Sequence, residues 1–386
     1  MKTIIKFIIG LSATLLLSGC WDVSEPQRMY YINGVGVDYK DGQYEIYMQI
    51  INFANVAKTE SPNPQAPQAE IGHAKGKTME EAFFKMYRSI DQKVFWGHMN
   101  FVLFSEEALK SKNAIAIIDS FLRHRETRYQ ILAFCTQDSI KDILLVAPIL
   151  NKSLAASKLI DPLHAEEIQK IFEPVDLRNL VISLDEPSHE VNIPYVSLLK
   201  EEWQTSKETT EETALTGVGV LSKNGFKGFI KDKNASGIQW MQKTKARGEV
   251  TFKIDGTDDD YLSVDLEKLS VKIEPIVKNN QVTFEVDMVF DATVNGFRTK
   301  ITGDEIRKKV IEEVKKDIRA TYLDALEKDI DIYRLSEQLY RKNVKAWKKY
   351  EKDGIVPLTE DSISKLDIKV NKVNPGRKTF AETIKK

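Results

Sequence analysis

The chain has 386 residues, 42% of them hydrophobic and 29% charged, with a formal net charge of −1. This is the composition of an ordinary globular protein, and the length predicts two or three domains. It carries no basic domain or stripe, which argues against a nucleic-acid binder.

The first element is an export signal. Lys2 and Lys6 lead into the apolar run from Phe7 to Leu17. A positive start, an apolar stretch of ~7–15 residues and small residues before a cut site make a secretory signal peptide. The run is short for a membrane span, which needs about 20 apolar residues. Ending in Leu17-Ser18-Gly19-Cys20, it resembles a bacterial lipobox. That resemblance implies removal of residues 1–19, diacylglycerol on the Cys20 sulfur and acylation of the new N-terminus. One chain binds marginally at ~0.8 kcal/mol per buried CH2, and two or three hold firmly. An ordinary signal peptide with an incidental cysteine is the alternative. The small-small-Cys order where the apolar run stops favours lipidation of Cys20. Loss of Lys2 and Lys6 with the leader takes the net charge from −1 to −3.

No later apolar run is long enough to cross a membrane, so the lipid is the expected anchor. With Cys20 acylated, Cys135 has no disulfide partner, and an exported chain of this length must gain its stability from burial. Cys135 ends the strand-like run Tyr129 to Cys135 and reads as a small buried residue rather than a nucleophile.

A tether is expected from Trp21 to about Met29. Val35, Val37 and Tyr39 then alternate with small or polar residues, as do Tyr44, Ile46, Met48 and Ile50 after Asp41-Gly42. Asp-Gly between two alternating runs predicts a hairpin. Asn55 to Gly76, rich in Pro, Ala, Gln and Glu, reads as an exposed loop. Thr78 and Glu81 form a capping box for a helix whose apolar face is Met79, Phe83, Met86, Tyr87 and Ile90. A strand is expected over Val94 to Phe104, a helix over Ala114 to Leu122, a strand at Tyr129 to Cys135 and a short helix from Asp138 to Val146. Intermixed strands and helices predict an N-terminal mixed α/β region.

Lys200 to Glu212 is polar with one Trp and reads as a linker, dividing the mature chain into 20–205 and 213–386. Beyond it, Gly217 to Ile230 predicts a hairpin turning at Asn224-Gly225. Alternation at Val250 to Ile254, Leu262 to Leu266, Val271 to Ile273 and Val282 to Met288 predicts consecutive antiparallel strands with one buried face. Thr302 and Glu305 cap a long helix with Ile306, Val310, Val314, Ile318 and Tyr322 on one face. Ile332, Leu335, Leu339 and Trp347 suggest a second helix ending before Gly354, and Leu366, Ile368 and Val370 a last strand. The fold class is therefore α+β and multi-domain, its C-terminal part an antiparallel sheet with two long helices.

No catalytic constellation emerges. Gly34-Val35-Gly36-Val37 and Gly217-Val218-Gly219-Val220 resemble half a dinucleotide fingerprint, but a third glycine is missing and hairpins follow instead of helices. The runs are a weak internal repeat or a chance pairing. His73, His98, His124, His164 and His189 lack zinc-pair spacing and read as surface or locally satisfied residues. The acidic turn Asp255 to Asp260 lacks the spacing of a calcium loop. Arg341, Lys342, Lys345, Lys348, Lys349 and Lys352 are either a contact for anionic lipid or an acidic partner, or a solvated helix face; interleaving with Trp347 and Tyr350 favours the latter. Gly34, Gly36 and Gly97 are candidate backbone-geometry positions. No catalytic, metal or cofactor residue is expected.

These residues together resemble the Ger(x)C family, the lipoprotein C subunits of nutrient germinant receptors in endospore-forming bacteria. The resemblance starts at Gly19-Cys20-Trp21-Asp22 with Glu25, and runs through Gly34-Val35-Gly36-Val37-Asp38 and Gly76-Lys77-Thr78 with Glu81-Ala82. It continues in Gly97-His98, Ser105-Glu106-Glu107-Ala108, Phe121-Leu122-Arg123 with Arg125-Glu126 and Arg128, Pro194-Tyr195, and Trp347-Lys348. One departure is Asp329-Ile330-Asp331-Ile332, where relatives often have a Gly-rich turn between the two C-terminal helices. The family implies a non-enzyme of several mixed α and β domains on the outer surface of the spore inner membrane. It implies integral-membrane A and B subunits as partners in a receptor for amino acids, sugars or similar nutrients. The competing classes are a solute-binding lipoprotein of a transporter, which needs two parallel-sheet domains around a cleft, and a lipid-anchored hydrolase.

Overall fold

The computed structural model describes residues 28–51, 67–123, 126–162, 171–206, 208–242, 247–255, 260–295, 301–375 and 384–385, with Ile4. The cut site, Cys20, the expected tether before Arg28, His124, His164 and most of the Asp255 to Asp260 turn lie outside the described residues.

The first hairpin forms as its alternation requires. β1 (Met29–Lys40) and β2 (Gln43–Ile51) are antiparallel. The turn residues Asp41 and Gly42 both have positive φ, at 51° and 73°, the left-handed pair that matches strand twist in a two-residue hairpin. The loop expected up to Gly76 is corrected, because Ala69–Gly76 forms β3 on the outer edge of β2. Glu70, His73 and Lys75 masked its pattern, and charged side chains suit an edge that must not recruit another strand.

Helix α1 (Met79–Tyr87) starts at Thr78, whose hydroxyl accepts from Glu81 N. The Glu81 carboxylate reaches back to Lys77 N, one residue before the cap. The single strand expected over Val94 to Phe104 is two, β4 (Lys93–Phe95) and β5 (Phe101–Ser105). Both pair with β1 in parallel, on either side of Asn33. A buried amide relay fills the break: Asn100 Nδ2 donates to Asn33 Oδ1 at 2.8 Å, and Asn33 Nδ2 to Gln49 Oε1 at 2.6 Å.

Then follow α2 (Glu106–Lys110), α3 (Ala114–Arg123), β6 (Leu132–Thr136), α4 (Ile140–Leu145), the short β7 (Val175–Asp176) and α5 (Leu177–Asp185). The segment read as a linker is corrected. β8 (Val191–Gln204) and β9 (Thr209–Ser222) form one long antiparallel hairpin across it, with Trp203 opposite Thr210. Its tip is polar and exposed over residues 201–206, 208 and 209, which removes the alternation that marks a half-buried strand. β10 (Gly225–Lys231) completes a ten-stranded mixed sheet in the order β10-β9-β8-β6-β5-β1-β2-β3, with β4 on β1 and β7 on β6.

The second sheet is β11 (Gly248–Lys253), β12 (Tyr261–Lys278), β13 (Gln281–Asn295) and β15 (Ile363–Asn374); short β14 (Ile301–Thr302) pairs with β16 (Ile384–Lys385) apart from it. The two runs from Leu262 to Ile273 are one strand with a bulge between Glu267 and Ser270, and β15 runs parallel to β13, so the sheet is mixed rather than purely antiparallel. Helix α6 (Gly303–Leu326) has the full Thr302–Glu305 capping box and buries Ile306, Val310, Val314, Ile318 and Tyr322. It packs on β11, β15 and the 3-10 segment Asp232–Met241. The second long helix is corrected to two short ones, α7 (Leu335–Lys342) and α8 (Val344–Tyr350). Asn343 leaves the helical region at φ −150° and its side chain caps α8 by accepting from Ala346 N. The α+β multi-domain class stands.

The β9–β10 hairpin belongs to both cores. Leu221 and Phe229 pack with the first sheet, whereas Val218, Val220 and Ile230 pack with Trp240, Phe290 and the α6 face.

Candidate functional site at the junction of the two halves

The loop between α5 and β8 inserts Ser188, His189 and Glu190 into the C-terminal half, and all three are buried or nearly so. They meet the turn from Asp329 to Arg334 and the first residues of α7. Asp329 and Arg334 hold this turn with positive φ of 55° and 56°.

Asp331 organises the turn. Its carboxylate accepts from Leu335 N at 2.8 Å and Ser336 N at 2.7 Å, capping α7 from inside the protein. Its own N–H donates to Glu190 Oε2 at 2.7 Å, and Glu190 Oε1 lies 2.7 Å from Lys227 Nζ. Burial pushes the Asp331 carboxyl up to about 7, with Glu190 and Glu337 nearby adding to the rise and the two amide donors opposing it. Burial lowers the affinity of Lys227 for its proton, but Glu190 and Asp329 outweigh that and raise it.

A second cluster surrounds Glu337. Arg334 Nε and Arg341 Nε each donate to it at 2.6 Å, and His189 Nδ1 lies 3.2 Å from its Oε2 and 2.8 Å from Arg334 Nη2. Burial alone would raise the Glu337 carboxyl, yet His189 and Arg334 hold it down at about 2. A third cluster is neutral. Ser336 Oγ accepts from Val356 N and donates to Ser188 Oγ, which donates to Gly354 O and accepts from Trp347 Nε1.

Beside these clusters lies a cavity of about 460 Å³, lined by Phe172, Asn192, Met241, Gln242, Arg334 and Glu337 among others. The Gln242 side-chain oxygen is buried there without a hydrogen-bond partner among the described residues, while its amide donates to Ile171 O at 3.1 Å. The arrangement can fix the angle between the halves and admit a small polar molecule. Its ion pairs are already internally matched, and among the described residues no group of three His, Cys, Asp or Glu could hold a metal ion.

The other residues singled out in the sequence do not converge here. Cys135 is buried, its thiol donates to Ile193 O at 3.3 Å, and burial pushes its pKa upward, away from reactivity. Gly34, Gly36 and Gly97 have ordinary φ, which corrects the backbone-geometry expectation. They are required by close packing: a Cβ would sit 2.3 Å from the Phe101 ring, 2.2 Å from Ile140 and 2.7 Å from the Phe95 ring, respectively. In the second Gly-Val-Gly-Val run, Gly219 likewise yields to the Cys135 sulfur. Of the basic run, Arg341 joins the Glu337 cluster, while Lys342 pairs with Glu274 at 2.7 Å and Lys349 donates to Asn280 at 2.8 Å. His73 stacks on Tyr47, and His98 meets Tyr31 edge-on. Sequence reasoning missed His189 as an interdomain residue; its only signal was a polar Ser-His-Glu triplet directly before an apolar strand.

The comparisons with known proteins agree with this two-part build. Residues 22–198 match the spore germination protein N-terminal domain, and residues 216–372 match the spore germination B3/GerAC-like C-terminal domain. Spore germination protein KC of Bacillus subtilis (strain 168) is 22% identical over 89% of this chain and 88% of its own length. Spore germination protein B3 of the same organism is 22% identical over 75% of this chain and 74% of its own. The crystal structure of the GerBC protein has the same fold, with a TM-score of 0.53 at 15% identity over 88% of this chain and 96% of that one. With both halves matched in order by the family's two domains, the chain belongs to the Ger(x)C family of spore germination proteins.

Proposed function

We propose that this protein is the lipid-anchored C subunit of a nutrient germinant receptor. It acts with integral-membrane A and B subunits on the outer surface of the spore inner membrane, by protein contacts rather than catalysis. The observation that carries this reading is the back-to-back match of both halves to spore germination domains. The leader ending in Leu17-Ser18-Gly19-Cys20 supports lipidation of Cys20, and among the described residues no helix is long and apolar enough to cross a membrane. The division into 20–205 and 213–386 is part of the proposal, and the gap between the two domain matches supports it.

The test has two arms. Cys20→Ala is expected to move the protein from the membrane to the soluble fraction; a variant still membrane-bound and acylated would refute the anchor. An in-frame deletion is expected to abolish dipicolinic acid release in response to one nutrient, with recovery on restoring the gene. An unchanged response to every nutrient, in a strain without sister receptors, would refute the receptor role. The cavity beside Glu337 favours the second reading, a solute-binding lipoprotein, and a nutrient-dependent compaction in small-angle scattering would establish it.

A further inference from the structure

We infer that the end of α4 and the loop after it, residues 145–150, form a membrane-contacting knuckle that rests on an anionic lipid surface. The inference builds on the lipid-anchor reading and assigns a second point of contact with the same membrane.

Three large apolar side chains stand in solvent within six residues: Leu145 is 48% exposed, Ile149 38% and Leu150 88%. Ala147 between them is exposed too. Single exposed apolar residues are normal, but a cluster on one turn marks a contact surface. The turn is shaped to present them. Leu150 adopts left-handed φ and ψ of 57° and 29°, an uncommon conformation for a branched residue, with Ile149–Asn151 forming a 3-10 turn around it. Lys152 N closes the turn by donating to Ile149 O at 3.4 Å.

Charge and position select the partner. The segment from 145 to 150 carries no acidic residue and runs directly into the exposed Lys152, while Lys158 further on lies beside Glu212. An apolar tip flanked by lysine fits the boundary between acyl chains and anionic head groups. Helix α4 begins over Gly36, where Ile140 packs, and in its last turn the Leu144 carbonyl accepts from Gln49 Nε2 at 2.5 Å. Gln49 pairs with Gly34, so the loop leaves toward the end of the sheet where β1 begins. The eight residues 21–28 between an acylated Cys20 and β1 span at most ~29 Å. The membrane is therefore held within about a domain's width of this end of the sheet.

The test uses the mature chain with Cys20→Ser and an N-terminal histidine tag, tethered to phosphatidylcholine–phosphatidylglycerol vesicles through a nickel-chelating lipid. Leu150→Cys carries an environment-sensitive fluorophore, and the buried Cys135 stays unlabelled. A probe at Tyr261→Cys, exposed on the second sheet, is the reference. On tethering, the probe at 150 is expected to shift to the blue, brighten several-fold and become quenchable from the acyl region, while the probe at 261 does not change. Leu145→Glu with Ile149→Glu is expected to abolish that response. A probe at 150 that stays as aqueous as the one at 261 overturns the inference. A probe already shielded before vesicles are added also overturns it, because the loop is then covered by the protein's own chain. The nickel tether replaces the acyl group, so neither outcome depends on Cys20 lipidation, which cell fractionation tests separately.

Discussion

Beneath α6 the C-terminal sheet is sealed by Ile306, Val310, Val314 and Ile318. A few residues further along, the junction beside α7 is sealed by Asp331, Ser336 and Glu337, with exposures as low as those of the apolar face. The apolar layer gains from area alone, about 1.5–3 kcal/mol for each fully buried side chain, and its contacts are shared among many neighbours. The junction gains little net energy from each polar contact but fixes geometry, because every buried donor needs one named acceptor. Removing a single partner leaves another group buried and unsatisfied. The apolar layer is therefore tolerant and the junction exacting, as befits a place that sets how two halves sit together.

Glu337→Gln is the strongest way to break that comparison. It removes the carboxylate shared by Arg334, Arg341 and His189. Breaking a buried ion pair costs about 3–5 kcal/mol. Both arginines are partly exposed and regain water, so the low end, about 3 kcal/mol, is expected. Urea denaturation of wild type and variant measures it, and unchanged midpoints would mean that the junction is as tolerant as the apolar layer. Ser336→Ala is the next step down. It leaves Val356 N without its acceptor inside a site closed to water, at a cost of about 1–3 kcal/mol. A loss confined to a few tenths in the same denaturation series would show that Val356 finds another partner.

The apolar layer was legible in the sequence because its signal is periodic. Ile306, Val310, Val314, Ile318 and Tyr322 recur at one step, and Thr302 with Glu305 marks the start. The hairpin at Asp41-Gly42 was legible for the same reason. Strand β3 was not, because Glu70, His73 and Lys75 interrupt its apolar pattern although Ile71 and Ala74 pack on the core, and the outer half of the β8–β9 hairpin was not, because its exposed residues show no alternation. The break at Asn343 left no mark in the spacing of Leu335, Leu339 and Trp347. Of the junction, only Asp329-Ile330-Asp331-Ile332 drew notice in the sequence, as a difference from the expected family pattern. Its other side, Ser188-His189-Glu190, lies more than a hundred residues away, and no local pattern predicts a pairing across that separation. Cys20, the residue with the strongest sequence signal, lies outside the described residues, so its role still rests on the lipobox.

The smallest effect sharpens the comparison most, because it concerns protons rather than packing. Burial and the neighbouring carboxylates lift Asp331 to about 7 in the folded chain, against about 4 for an unfolded aspartate. A carboxyl whose folded pKa is raised binds its proton more tightly when folded. Its contribution is complete below the unfolded pKa and is lost as pH rises through 7. Glu337, held down at about 2, works the other way, and its contribution fades only as pH falls below about 4. The titratable groups acting on Asp331 are Glu190 on the loop into β8, Glu337 on α7 and Tyr322 on α6, and all remain in Asp331→Asn. Subtracting the variant's stability from that of wild type therefore isolates one carboxyl. From pH 6.5 to 7.5 the difference is expected to fall by somewhat less than about 1 kcal/mol, read from urea midpoints at each pH. A difference that rises instead would mean that the amide donors of Leu335 and Ser336 prevail over burial and keep Asp331 ionised. The junction would then bury a true charge, satisfied by the first turn of α7.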